Sequence, residues 1–202
     1  MVLLILTVSI PTISSTKSHM KTQYFTAASI DGFITDNDES LDWLFQFGSI
    51  DSMEEEFPLF MGQVGAAVMG SSTYEWLIEM EEMIKYPKKW PYDIPTWVFS
   101  HRDLPIVDKA DITFVKGDVS PVHSEMGKAA NGKNIWIIGG GDLAGQFYDR
   151  GLLDEVIITI APVMLGSGAP LLPRDISSKP LKLVDVQKHE DVFAVLTYSV
   201  QK

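Results

Sequence analysis

Short apolar runs bounded by turn residues alternate along the chain with longer segments whose apolar residues recur at helical spacing. Such runs are typical of buried strands, and an apolar repeat of three to four residues predicts an amphipathic helix. From residue 21 onward the alternation predicts an α/β sheet. The predicted strands are residues 24–30, 66–69, 96–100, 112–115, 135–138 and 156–160. The predicted helices are residues 52–64, 71–84, 122–130 and 142–150.

The two ends of the chain have patterns of their own. Residues 181–187 and 192–200 are expected to form an antiparallel strand pair that closes the sheet, and residues 20–202 are expected to form one domain. Residues 1–13 are apolar, but a bilayer span takes about 20 residues. No Lys or Arg precedes this run as in secretion signals, and Ser18-His19-Met20 resembles a cloning junction. We expect residues 1–19 to be an appended or upstream-translated leader, with a cleaved export signal as the alternative.

Composition narrows the classes of function. The formal net charge is -11 and the sequence pI is about 4.7, so the surface repels phosphate backbones and nucleic acid is not expected as a partner. The chain has no cysteine, which excludes disulfides, thiol catalysis and Cys-ligated metal and fits a cytoplasmic location. The four histidines are dispersed, so no metal site is expected. We also expect no membrane partner.

Three glycines at a predicted strand end are the most informative local feature. The buried run at residues 135–138 leads directly into Gly139, Gly140 and Gly141, and a helix is predicted to begin at once. Glycines let backbone amides approach a ligand closely, and a helix N-terminus carries free N–H groups that suit a pyrophosphate. The alternative is a tight turn without a ligand. The spacing also matches a loose Rossmann fingerprint, but the acidic residue which that fold needs about 20 positions later is missing.

Two further strand ends carry polar residues. Gly70 is followed by Ser71, Ser72 and Thr73, which can cap a helix or bind phosphate. The run Ser100-His101-Arg102 follows another strand and could hold a phosphate monoester, or its arginine could be simply solvated. Since α/β sheets bind ligands at the carboxyl ends of their strands, the three junctions together predict one extended, polyphosphorylated ligand.

The order and spacing of these segments resemble the dihydrofolate reductase family, and more closely the branch that shares the reductase domain of riboflavin biosynthesis. The matching segments are residues 28–34, 68–75, 99–102, 136–141, 152–155 and 161–172. The resemblance implies a three-layer dihydrofolate-reductase-like α/β fold, with a mixed, mostly parallel central sheet, flanking helices and the C-terminal antiparallel pair.

The resemblance implies NADPH as the cofactor. The glycines would hold the pyrophosphate, residues 70–73 would contact phosphates near the adenosine half, and residues 100–102 would face the 2′-phosphate. Residues 29–34 look like a mobile loop that closes over nicotinamide. The expected cofactor contacts are Ala28, Ile34, Gly70, Ser71, Ser72, Thr73, Ser100, His101, Arg102, Ile138, Gly139, Gly140, Gly141, Asp142 and Leu143.

A carboxylate that helps to protonate the substrate is expected at Glu54, the position that the resemblance indicates. Glu54 flanks the apolar stripe of its predicted helix, and desolvation beside such a stripe raises the pKa of a carboxyl group, as a proton donor needs. The alternative is a solvated acidic first turn. The expected substrate contacts are Asp31, Trp43, Phe57 and Thr159, and Trp76 is a further aromatic candidate.

The leading hypothesis is an NADPH-dependent reductase of dihydrofolate type. The first alternative is the 5-amino-6-(5-phosphoribosylamino)uracil reductase of riboflavin biosynthesis. Phe25 and Ile138 stand where that branch carries a lysine and an acidic residue, whereas the motif Gly166-Ser167-Gly168 belongs to that branch. The second alternative is an NADPH-binding domain without catalysis. The resemblance also makes a homodimer possible.

Overall fold

The computed structural model describes residues 20–47, 56–80, 82–87, 90–189 and 191–202. Its strands are β1 (Thr22–Ser29), β2 (Phe33–Thr35), β3 (Val64–Gly70), β4 (Thr96–Phe99), β5 (Ile112–Val115), β6 (Asn134–Gly139), β7 (Glu155–Ala161), β8 (Ala169–Pro170), β9 (Lys182–His189) and β10 (Phe193–Ser199). Its helices are α1 (Asp42–Phe45), α2 (Glu56–Gln63), α3 (Ser71–Met80), α4 (Val119–Ala129) and α5 (Gly141–Asp149). None of the helices in these ranges is long and apolar enough to cross a membrane.

Eight strands form one sheet in the order β5-β4-β3-β6-β1-β7-β10-β9. The first six in this order are parallel, and β10 runs antiparallel to both β7 and β9. The expected mixed, mostly parallel sheet and its C-terminal antiparallel pair are therefore confirmed. The short strands β2 and β8 pair separately with each other.

Helices cover both faces of the sheet, so the fold has three layers. On one face, Met126 of α4 and Phe147 of α5 pack in the cluster that contains Tyr24 and Ile137. The other face is covered by α1, α2 and α3, through contacts of Trp43 with Ala161, Phe57 with Trp136, and Tyr74 with Met69. Because both faces of the central strands are buried, these strands read as continuous apolar runs, which made them recognisable in the sequence.

The predicted helix at residues 71–84 is too long, because α3 ends at Met80. Glu82 has a φ of 58° less ten, that is 48°, in the left-handed region. Met83 donates its N–H to the carbonyl of Ile78 (2.9 Å), and Glu82 donates to Glu79 (3.1 Å). This pair of bonds is the Schellman arrangement that ends helices. Glutamate occupies the position where glycine is usual, so the sequence carried no stop signal there.

Smaller differences concern other boundaries. Val64 opens β3, where we predicted the last residue of a helix, and it pairs with Asn134 of β6. The short elements α1, β2 and β8 were not predicted, because so few residues produce no periodic pattern. Residues 1–19 and residues 52–55 lie outside the described residues, so the expected leader and the start of the predicted helix stay predictions.

Candidate functional site

The carboxyl ends of the parallel strands open into a groove along one edge of the sheet. A cleft of about 360 Å³ lies beside β3, β4 and β5, and a second cleft of about 680 Å³ lies between α3 and the β2–β8 region. The two clefts share Ser72, Thr73, Gly140 and Asp142 in their walls, so they form one continuous groove. The groove runs over the starts of α3 and α5, the two helices predicted at the glycine junctions.

The three glycines at the end of β6 have different surroundings. A Cβ on Gly139 would lie 3.0 Å from Oγ1 of Thr73, and a Cβ on Gly141 would lie 2.2 Å from the carbonyl oxygen of Pro170. A Cβ on Gly140 would meet only Cδ1 of Ile34, at 3.9 Å. The outer glycines are thus needed for packing, whereas the middle one faces the groove. The peptide bond between Gly139 and Gly140 is cis.

The start of α5 fits an anionic group. Gly140 is the N-cap residue and no side chain caps the helix there. The N–H of Ala144 donates to Gly140 (3.1 Å), so the amides of Gly141, Asp142 and Leu143 precede the first intrahelical bond. These amides and the helix dipole form an environment that favours a phosphate.

The smaller cleft brings together two of the predicted strand ends. Its walls contain Gly70, Ser71, Ser72, Thr73, Ser100, His101, Asp142 and Leu143, as predicted, together with Lys116 and Gly117. Lys116 follows β5 directly, and sequence analysis missed it. The signal that could have found it is its position, since it comes immediately after a strand that is parallel to the glycine-bearing ones.

Arg102 lies beside this cleft but is paired with a carboxylate. Its Nη1 donates to Oε1 of Glu75 (2.9 Å), its Nη2 also contacts the second oxygen of Glu75, and Nη2 donates to Oγ of Ser71 (3.2 Å). The guanidinium is therefore held over the first turn of α3. It would have to exchange Glu75 for a phosphate in order to bind one.

The loop after β1 is fixed by Asp31. One oxygen of Asp31 accepts hydrogen bonds from Oγ of Ser29 (2.6 Å) and from the N–H of Leu165 (3.1 Å), and the other accepts from the N–H of Gly166 (2.7 Å). These bonds, first of all that from Ser29, lower the pKa of the Asp31 carboxyl group. The structure thus places Asp31 in a contact between two loops, and Ile34 follows as part of the wall of the larger cleft.

The remaining expected cofactor contacts lie deeper. The side chain of Ala28 is completely buried on the face covered by α4 and α5, so only its backbone could reach a ligand. Ile138 is partly buried and packs against the apolar clusters on the opposite face.

Among the expected substrate contacts, Thr159 is the most informative. It lies on β7 opposite Ala27 of β1, is 5% exposed, and its Oγ1 has no hydrogen-bond partner in the described part of the chain. Buried hydroxyl groups are normally paired, so this oxygen is free to bind a ligand or a water.

The aromatic candidates separate into core and cleft. Trp43 is buried in the cluster that contains Ala161 and does not line either of the two clefts. Phe57 packs edge-on against Trp136 (5.7 Å between ring centroids). Trp76 lines the larger cleft and stacks on Phe45 (6.2 Å). Glu54 lies outside the described residues, so the structure does not place the expected proton donor.

The larger cleft has a one-sided charge. The described residues that line it include no Lys, Arg or His. The carboxylates in its wall are Asp38, Glu39, Glu75, Glu79 and Asp142. Such a wall disfavours an anionic substituent on a bound ring.

Comparisons with known proteins agree with this geometry. The family model for the RibD C-terminal domain matches residues 21–195. The uncharacterized protein YwjB of Bacillus subtilis is 33% identical over 163 residues, which are 81% of this chain and 88% of YwjB.

Two solved structures are similar in fold. A protein of Shewanella sp. PV-4 named for riboflavin biosynthesis is 28% identical, with a TM-score of 0.75 over 91% of this chain and 100% of that chain. Dihydrofolate reductase of Enterococcus faecalis, complexed with NADP(H) and RAB-propyl, is 14% identical, with a TM-score of 0.55 over 90% of this chain and 97% of that chain. The expected dihydrofolate-reductase-like fold is confirmed by these likenesses.

Proposed function

This chain belongs to the RibD C-terminal domain family, and we propose on that basis that it is an NADPH-dependent reductase acting on a small heterocycle. One observation carries the proposal. A continuous groove runs along the strand ends, and the first-turn amides of α5 open into it without a capping side chain. Its length over two helix starts suits a dinucleotide better than a single phosphate.

The residues that would hold the cofactor follow the groove. The amides of Gly141 to Leu143 would bind the pyrophosphate, and Ser72 and Thr73 would contact it from α3. Lys116 would supply a positive charge for the 2′-phosphate near Ser100 and His101. When bound, the reduced nicotinamide supplies the hydride. The protein contributes position and exclusion of water.

Protonation of the substrate is assigned to this chain's own residues. We assign the proton donor to Glu54, as the family resemblance implies. The unpaired hydroxyl of Thr159 would bind the substrate or the water that relays the proton. The product would be a ring in which a C=N bond has gained a hydride at carbon and a proton at nitrogen.

Dihydrofolate is the first substrate to test, and 5-amino-6-(5-phosphoribosylamino)uracil is the second. The family match favours the riboflavin-pathway compound. Against it, Phe25 packs edge-on against Phe60 (4.9 Å), an apolar contact at the position where the resemblance expects a lysine. Loss of NADPH absorbance with each compound decides between them, and replacement of Glu54 by Gln should lower the rate without changing NADPH affinity. Binding of NADPH without turnover of either compound would favour the non-catalytic alternative.

Titration of the protein's tryptophan fluorescence with NADPH and NADH tests the cofactor. We predict that Lys116→Gln weakens NADPH binding roughly tenfold, the equivalent of about 1.4 kcal/mol for one charge-assisted bond, and leaves NADH unchanged. The matched control is Lys128→Gln, since Lys128 lies in the last turn of α4 and does not line the groove. If the wild-type protein binds neither nucleotide, the reductase proposal is wrong.

The expected homodimer also stays a proposal. Sedimentation equilibrium of the purified protein at micromolar concentration tests it.

A further inference from the structure

An acidic side chain stands at the point where the groove would receive phosphates. Asp142 lies in the first turn of α5 and lines both clefts. A carboxylate in a first turn is stabilised by the same amides and the same dipole that would bind a phosphate, and its charge repels that phosphate. An anion site at this helix therefore requires the carboxylate of Asp142 to be held elsewhere.

Both oxygens of Asp142 are occupied by side chains away from the first-turn amides. Oδ1 accepts a hydrogen bond from Nη1 of Arg174 (3.1 Å), and Oδ2 accepts one from Nε2 of Gln146 (3.0 Å), one turn further along the helix. The bond from Gln146, followed by the contacts with Arg174, lowers the pKa of the Asp142 carboxyl group. The carboxylate thus stays ionised but is directed along α5.

Arg174 is itself firmly placed. Its Nε donates to Oδ2 of Asp149 (2.8 Å), its Nη1 also donates to the carbonyl oxygen of Pro173 (2.8 Å), and its side chain is only 21% exposed. It spans α5 from the first turn to the last. An arginine fixed at both ends loses little further freedom when it holds a carboxylate.

A glycine inside α5 provides the space for this arginine. A Cβ on Gly145 would lie 2.6 Å from Cζ of Arg174. Glycine in a helix interior costs about 1 kcal/mol relative to alanine, so its presence here needs a reason. The space it leaves for the guanidinium is that reason.

We propose that Arg174 is a positioning residue that keeps the start of α5 open for the cofactor phosphates by holding Asp142 along the helix and neutralising it. The inference rests on the proposed function. It adds a residue from the loop after β8 that does not itself line the groove.

The test is a double-mutant cycle with NADPH affinity as the readout. Arg174→Gln should weaken NADPH binding about fivefold, because Asp142 is then free to occupy the first-turn amides. Adding Asp142→Asn to Arg174→Gln should restore the affinity to within twofold of wild type. A purely structural role of Arg174 would not be rescued in this way, because the bonds to Asp149 and Pro173 stay lost.

A matched control removes a charge of the same sign elsewhere on the helix. Arg150 follows the last turn of α5 and pairs with Asp118, so Arg150→Gln should leave NADPH affinity unchanged. In the ligand-free protein, carboxyl resonances should show the pKa of Asp142 rising in Arg174→Gln.

The outcomes separate the two proposals. If wild type binds NADPH but Arg174→Gln binds it equally well, or if Asp142→Asn fails to rescue, the role of Arg174 is refuted and the cofactor proposal stands. If wild type does not bind NADPH, both fall. Should Arg174→Gln not fold, as judged by circular dichroism, Arg174→Lys replaces it, because a single ammonium cannot hold both carboxylates. Asp142→Asn must then improve binding in that background.

Discussion

At the scale of single residues, the hydroxyl of Thr159 combines a cost in stability with a possible use. A buried hydroxyl without a partner costs about 1–3 kcal/mol, and Thr159 is 5% exposed with Oγ1 unpaired among the described residues. The strand position is otherwise apolar, with Ala27 on one side and Val195 on the other. Valine would satisfy the packing equally well, so the oxygen is best explained by a bound substrate or water.

We predict that Thr159→Val lowers kcat/KM roughly tenfold, the effect of one lost hydrogen bond of about 1.4 kcal/mol. The free energy of unfolding should stay the same or rise by about 1 kcal/mol, since the unpaired group is gone. Urea denaturation and steady-state rates with the substrate identified above measure both. Thr159→Ser is the matched control, because it keeps the hydroxyl and should keep the rate while losing about 1 kcal/mol of stability. Equal rates for wild type and Thr159→Val would remove Thr159 from the site.

At the scale of elements, the ends of helices decide where the groove can form. The start of α5 is capped by Gly140 without a side chain, so its amides open into the groove. By contrast, Asp118 caps α4 by accepting from the N–H of Ser120 (2.8 Å), and α4 lies away from the groove. Helices of the same sheet therefore use their N-termini differently, one satisfied by its own side chain and one left open.

The end of α3 yields a prediction about stability. Glu82 occupies a left-handed position (φ 48°) in the Schellman arrangement, where a side chain costs roughly 1 kcal/mol. Glu82→Gly should therefore raise the free energy of unfolding by about 0.5–1 kcal/mol in urea denaturation. The control, Glu125→Gly in the exposed middle of α4, should lower it by about 1 kcal/mol. Destabilisation by both substitutions would contradict the assigned helix end.

At the scale of the whole molecule, the net charge of -11 is distributed so that the larger cleft is acidic. Cations meet the groove only at its smaller end among the described lining residues, where Lys116 and His101 lie. The molecule thus offers a positive site for the adenosine end of a dinucleotide and a negative wall where the substituents of a ring would extend.

This distribution predicts how an anionic substrate responds to charge removal. Glu79→Gln should raise kcat/KM for dihydrofolate roughly twofold, because the tail of dihydrofolate carries two carboxylates and Glu79 lines the larger cleft. The gain should disappear near 1 M salt, where the screening length falls to about 3 Å. Glu125→Gln, on the opposite face of the sheet, is the matched control and should change nothing. An increase of the same size in both variants would assign the effect to net charge alone.

Sequence reasoning succeeded where local spacing carries the information. The buried strands, the helices after Gly70 and Gly139, and the C-terminal strand pair depend on apolar runs and turn residues that are neighbours in the chain. It failed at the end of α3, where glutamate replaces the usual glycine, and at Lys116, whose role depends on what β5 lies beside.

The amino-acid sequence by itself determined which strand ends are free of side chains and which helices follow them, because these properties depend on residues a few positions apart. Only the tertiary structure decided which charges meet. Arg102 pairs with Glu75 across 27 positions, and Arg174 reaches Asp142 across 32. Contacts over such separations exist only after the sheet has set its strand order, since that order brings β3 beside β6 and both glycine-bearing ends into one groove.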